Sequence, residues 1–172
     1  MFPYRFVILK SFCVVLLIKT MSYAQVQPTQ IKGVFPSMSV KSDHRLRTEA
    51  GIGALMPWAD KLWVVGYVAH IRGSGPGLYS VAEDMTMTKH PMSYTGTYAN
   101  RFIHNASNQA IIGPYAIDTL GNVRVIHDLK THRLTATFDH LFKADSMVYF
   151  LTMEGLLFET NVYSLNSKQV AN

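Results

Sequence analysis

The densest group of side chains able to do chemistry is the run Asn100-Arg101-Phe102-Ile103-His104-Asn105-Ala106-Ser107-Asn108-Gln109, polar in surroundings that are otherwise apolar. Arg101 carries the planar fork that clamps a carboxylate or sulfate, a histidine such as His104 can move a proton near neutral pH, and Asn105, Asn108 and Gln109 can read hydroxyls. A second group brackets a later apolar stretch, with His132-Arg133 before it and Asp139-His140 after it. His140 paired with His104 could serve as acid and base, and Asp139 beside them could complete a metal site. Seven histidines in one chain produce such pairs by coincidence, so no metal and no cofactor is assigned. The plainer reading makes the same residues turn formers, with Asn and Ser closing the turn while Arg101 and His104 satisfy backbone carbonyls. Among the aromatics, Trp58, beside Pro57 in a turn, is the one assigned to a binding surface, whereas Trp63, Tyr67, Tyr79, Tyr98, Tyr115 and Tyr149 fall within apolar runs.

The elements that must position these residues are strands. Leu62-Trp63-Val64-Val65-Gly66-Tyr67-Val68 is followed by Gly77-Leu78-Tyr79-Ser80-Val81, and Val148-Tyr149-Phe150-Leu151-Thr152-Met153 by Gly155-Leu156-Leu157-Phe158-Glu159-Thr160. Trp63 and Tyr149 are 86 positions apart, with a weaker copy between them. The unit is thus roughly 43 residues, the length of a propeller blade. From Gly51 onward β-branched and aromatic residues are broken by Gly, Pro, Asn and Asp, without a sustained 3.6-residue stripe. The pattern predicts an all-β fold: a partial β-propeller of about three four-stranded antiparallel blades at 51–92, 96–128 and 132–172, an incomplete ring. Strands are expected at 51–56, 61–69, 77–82 and 85–89; at 101–104, 109–113, 115–118 and 122–126; and at 133–138, 147–153, 156–162 and the final residues. Reversals are expected at Asp60-Lys61, Leu120-Gly121-Asn122 and Asp145-Ser146. Nearly continuous apolar runs imply burial on both faces, as for sheets stacked between neighbours. The last unit has no visible closing strand or cap, which predicts a piece of a longer product and an open flank prone to self-association.

Residues 1–24 read as a secretory leader, with Arg5 ahead of an apolar run from Phe6 to Ile18 and small residues at Ser22 and Ala24. Lys10 and Lys19 interrupt the run, which argues against a spanning helix, so no stable membrane span is expected after leader removal. Residues 25–50, with Pro28 and Pro36, read as a linker or arm. The chain has 16 Lys and Arg against 11 Asp and Glu; the leader takes Arg5, Lys10 and Lys19 and no acid, leaving 13 against 11. No basic run remains, which excludes nucleic acid as an expected partner. The single cysteine, Cys13, lies in the leader, so no disulfide framework or thiolate metal site is expected beyond it. Gly73-Ser74-Gly75-Pro76-Gly77 precedes no helix and reads as a hairpin loop rather than a phosphate cradle. Asn105-Ala106-Ser107 fits the glycosylation pattern, which is discounted for a bacterial envelope or secreted chain.

The stretch from Gly96 to Asp118, with Thr97-Tyr98-Ala99-Asn100-Arg101 and Ile111-Ile112-Gly113-Pro114-Tyr115, resembles segments of exported bacterial β-propeller proteins of uncharacterised function, and the likeness runs over roughly Gly51 to Leu165. The resemblance implies a secreted or periplasmic protein and an extracellular polysaccharide ligand, bound or processed. No catalytic residue is carried across from the resemblance; from the residues themselves, Arg101, Asn105, Asn108 and Trp58 are assigned to hold substrate, His104 and His140 to move protons, and Tyr98 or Tyr115 to supply a partner acid. The alternative is a non-catalytic protein-interaction or scaffold module.

Overall fold

The computed structural model describes residues 50–68 and 77–172. The expected leader, nearly all of the expected arm and Gly73–Pro76 of the glycine-rich loop lie outside the described residues. Among those described, twelve strands form three four-stranded antiparallel sheets, each in simple up-and-down order. Sheet one contains β1 (Ala50–Trp58), β2 (Lys61–Val68), β3 (Leu78–Val81) and β4 (Met87–Lys89). Sheet two contains β5 (Arg101–His104), β6 (Gln109–Ile112), β7 (Tyr115–Ile117) and β8 (Val123–Val125). Sheet three contains β9 (Leu134–Asp139), β10 (Met147–Thr152), β11 (Leu157–Asn161) and β12 (Ser167–Ala171). Two short 3₁₀ turns, Asn105–Ser107 and His127–Leu129, interrupt the connections.

The strands fall where the apolar runs and turn residues place them, with two differences. β1 continues through Pro57 to Trp58, which pairs with Lys61, so Trp58 ends a strand instead of sitting in a turn. The reversal uses Ala59 and Asp60, at φ 49° and 56°. A two-residue hairpin turn with both central residues left-handed matches strand twist, but neither residue advertises it as Asn-Gly would. Pro57 is tolerated because β1 is an edge strand, where a missing N–H breaks no ladder. The second difference is at the other end: the strand expected among the final residues is present as Ser167–Ala171, and by pairing with β11 it closes the sheet that was expected to lack a closing strand. Its turn is closed by Asn161 Oδ1, which accepts from the N–H groups of Tyr163 and Ser164 at 2.9 Å each. β12 is mostly exposed and therefore lacks apolar alternation.

The sheets stack in chain order. β1 and β2 pack on β6, and β5 packs on β9, so sheet two lies between the others. Its β6 is buried along its whole length, and Ile111, Ile112, Ile117, Trp63, Leu134 and Phe150 join one apolar core. Burying each such side chain contributes roughly 1.5–3 kcal/mol. A second apolar cluster, around Val64, Tyr79 and Val81, occupies the other face of sheet one, giving β2 the two-sided burial its sequence implied.

A seam at 96–100 locks the stack. Tyr98 donates its backbone N–H to Gly66 O of sheet one, while Thr97 and Ala99 bond Leu134 of sheet three. The seam runs against Gly53 so closely that a Cβ there would stand 1.7 Å from Tyr98 O, which only a glycine allows. The buried Asn100 adds bonds from Nδ2 to Gly113 O (2.9 Å) and Thr137 Oγ1 (2.8 Å), tying sheets two and three.

In each up-and-down sheet the first and third turns share one end. Those ends coincide: a Cβ on Gly121 would lie 3.7 Å from that of Ala59, His104 reaches Ala144, and Arg124 reaches Tyr163. The turns at 59–60, 82–86, 105–108, 118–122, 140–146 and 162–166 thus form a single surface, the turn end.

Candidate functional site

His104 ends β5 and His140 directly follows β9, and both lie at the turn end. Strand alternation points Phe102 and His104 inward and Arg101 and Ile103 outward. His104, 1% exposed, caps the turn that follows it. Its Nδ1 accepts from Ser107 N at 3.2 Å and from the Ser107 hydroxyl at 2.7 Å. Since Nδ1 accepts, Nε2 carries the proton, and it donates to Ala144 O at 2.8 Å across the gap to sheet three.

His140, 6% exposed, repeats the device. Its Nδ1 accepts from Phe142 N and Lys143 N, both at 3.1 Å, and Nε2 donates to Glu159 Oε1 at 3.1 Å. The ring stacks on Tyr149 with centroids 4.5 Å apart and planes 14° apart. The 140–146 turn is thereby held from two sides, by His140 at Phe142 and Lys143 and by His104 at Ala144. Lys143 O accepts from Ser146 N and Met147 N, and the Tyr163 hydroxyl donates to Asp145 O, which adds further ties within the turn.

That turn lifts two large apolar side chains into water: Leu141 is 79% exposed and Phe142 87%. Leu120, at 85%, and Tyr163 add to the apolar tips of the same end. Sequence reasoning missed Leu141 and Phe142. The available signal was an apolar pair in the middle of His140-Leu141-Phe142-Lys143-Ala144-Asp145-Ser146, where a turn between strands ordinarily carries polar residues.

The other candidates are spread out. Arg101 begins β5, exposed and on the opposite strand face from His104, about 10 Å back along the chain. Asn105 and Asn108 are exposed turn residues; Asn108 takes φ 50°, ψ 51° and closes the turn by donating to Asn105 O. The second group splits between the two ends of β9. Arg133 pairs with Glu154 (2.8 Å) and His132 packs on Phe158, far from the turn end that holds Asp139 and His140. Tyr98 and Tyr115 are wholly buried. The Tyr98 hydroxyl donates to Lys130 O, and that of Tyr115 donates to Tyr94 O while accepting from Tyr94 N. Burial raises both phenols, Tyr115 to about 12, so they stay neutral framework residues out of reach of a substrate.

Trp58 lines a cavity of about 480 Å³ at the turn end. Its Nε1 donates to Asp118 O at 2.8 Å, which fixes the ring. Leu62, Val81 and Met85 supply an apolar lining, and Asp60, Lys61 and Glu83 stand at the rim. Asp118 braces the adjacent turn: hydrogen bonds from the Asn122 side chain first, then from backbone N–H groups, hold its carboxyl below the usual carboxylate range. Among the described residues no group of three or more His, Cys, Asp or Glu is placed to hold a metal ion, and no helix is long and apolar enough to cross a membrane. No protein-family model matches the chain, and no curated protein matches its sequence.

Proposed function

We propose that the three sheets are consecutive blades of a β-propeller and that the chain is a non-catalytic binding module whose contact surface is the turn end. The observation that carries this reading is the commitment of both candidate proton carriers. Each imidazole is buried with both nitrogens bonded within the protein, and both hold the turn that displays Leu141 and Phe142. A proton carrier needs a ring nitrogen within reach of the substrate, and a binding surface needs apolar side chains presented in a fixed conformation. The leader at 1–24 makes the module an exported one, secreted or periplasmic, in this proposal.

The test is turnover. Acidic and neutral polysaccharides incubated with the chain should yield no new reducing ends and no unsaturated products. Cleavage that disappears in a folded His104→Gln/His140→Asn variant would overturn the reading in favour of an enzyme.

A polysaccharide ligand without turnover is the second reading, and the observation in its favour is Trp58 beside an open cavity with charged groups at its rim. Retardation on polysaccharide affinity gels that is lost in Trp58→Ala and kept in Leu141→Ser/Phe142→Ser would support it.

A further inference from the structure

Sheet one buries a face that no other sheet among the described residues covers. Alternation along β2 sends Trp63 and Val65 into the core shared with sheet two and Val64 the other way. On that other face Val64, Tyr79 and Val81 are 0%, 3% and 2% exposed, and burial raises the Tyr79 phenol above the usual tyrosine range. Every hydrophobic residue of the cluster, Ile52, Leu55, Leu62, Met85 and Met87 included, belongs to sheet one or to its own 82–86 turn. A tyrosine standing up from a bare sheet would be wetted along its ring. The far side of the stack shows the contrast: on the outer face of sheet three Leu151, on the central strand β10, is only half-buried, and Phe138 is 41% exposed.

We infer that residues 34–41 of the arm lie as an extended strap across this face of sheet one and seal that flank of the stack. The inference goes beyond the binding-module reading and does not depend on it. With the first flank sealed by the chain itself, a further sheet can join the stack only past sheet three.

The sequence of the strap suits the task. Val34, Pro36, Met38 and Val40 alternate with Phe35, Ser37, Ser39 and Lys41, so an extended segment turns one apolar edge down and, Phe35 apart, a polar edge up. Pro36 is admissible because a strap packed on a face joins no hydrogen-bonded ladder. Reach suits it as well. The arm runs directly into Ala50 at the start of β1, and the ten residues from Val40 to that point span up to about 33 Å. Four strands make a face about 14 Å wide, and β1 is about 30 Å long, so the strap can be laid over any part of it. The compact unit that contains the three sheets begins at Ile31, inside the arm. The competing cover is the 69–76 connection, which springs from the end of the sheet away from Val81 and has Ile71 as its one large apolar side chain.

The test places a nitroxide on the polar edge of the strap, at Ser37→Cys in a Cys13→Ser background of the full chain, and reads paramagnetic broadening of methyl signals. Val64 and Val81 should lose most of their intensity, while Leu151 and Leu157, about 20 Å or more further on across two sheet spacings, should keep most of theirs. Adding Met38→Asp/Val40→Asp should abolish the broadening with the Ile111 and Ile112 signals unmoved, and adding Ser39→Asp should leave it in place. Should the double aspartate variant fail to fold, the comparison of Val64 with Leu151 in the labelled chain decides alone. Absence of broadening at Val64, equal broadening on sheet three, or broadening that survives the aspartates in a folded chain overturns the inference. A mixture of isotope-labelled chain without nitroxide and unlabelled chain with it should show no broadening; broadening there assigns the cover to a second copy and overturns the inference too.

Discussion

The 105–108 turn of sheet two and the 140–146 turn of sheet three begin with the same device and end with different surfaces. In each, a buried histidine at the end of the first strand turns Nδ1 toward the N–H of the residue three positions on, Ser107 or Lys143. The first turn then closes tightly over Asn105, Ala106 and Ser107. The second is longer and carries Leu141 and Phe142 outward. The Nε2 groups differ as well: His140 stays within its own sheet at Glu159, whereas His104 crosses to the other turn at Ala144. A fixed capping arrangement can therefore serve as a purely structural closure in one place and as a display mount in another, and the closed turn is what steadies the open one.

The largest effect should come from the seam that keeps the two turns in register. Gly53→Ala places a methyl group 1.7 Å from Tyr98 O, against backbone that cannot yield cheaply. Destabilisation of more than about 4 kcal/mol by urea unfolding is expected, with both turns losing amide protection together. Next is His104→Ala, which strands the Ala144 carbonyl and removes the cap on 105–108. A loss of about 3 kcal/mol is expected, and His104→Gln, which keeps a donor toward Ala144, should recover part of it.

High pH attacks the frame beneath both turns without touching either. Burial raises the Tyr115 phenol to about 12, against about 10 in the unfolded chain, so the folded state holds the proton more tightly. Its contribution is fully present below about pH 10 and is lost as pH rises to about 12, a change of about 3 kcal/mol. Denaturant midpoints should therefore fall across that window, and Tyr115→Phe should flatten the fall. The smallest effect should be His140→Ala, which releases Phe142 N and Lys143 N near the surface and loses the Tyr149 stack. About 1–2 kcal/mol is expected from thermal unfolding, with His140→Asn closer to wild type because its carbonyl can still accept in the turn.

The strands were legible because their signals are local. Trp63–Val65 and Val148–Phe150 are apolar at successive positions because they are buried on both faces, and Asp, Asn and Gly sit at most reversals. The hairpin centred on Ala59-Asp60 was not, since it uses atypical turn residues, and the strand at the final residues was placed without its role as the closing strand, since Ser167–Ala171 is held by pairing with little burial. His104 and His140 were legible as neighbours at one end, because equivalent positions in stacked repeats share a height. Their task was not legible, because it is set by Ala144 O, 40 positions from His104, and by Glu159, 19 positions from His140. Arg101 illustrates the opposite limit: next to His104 in sequence terms, it faces the other way because the strand alternates.

The claim at the centre is that buried histidines hold the turn bearing Leu141 and Phe142 in one conformation. Amide hydrogen exchange at Phe142 and Lys143 addresses it directly. Both N–H groups should exchange far more slowly than open-chain amides, although their own side chains stand in water, and His140→Ala should abolish that protection. Exchange at open-chain rates in the wild-type protein would contradict the account.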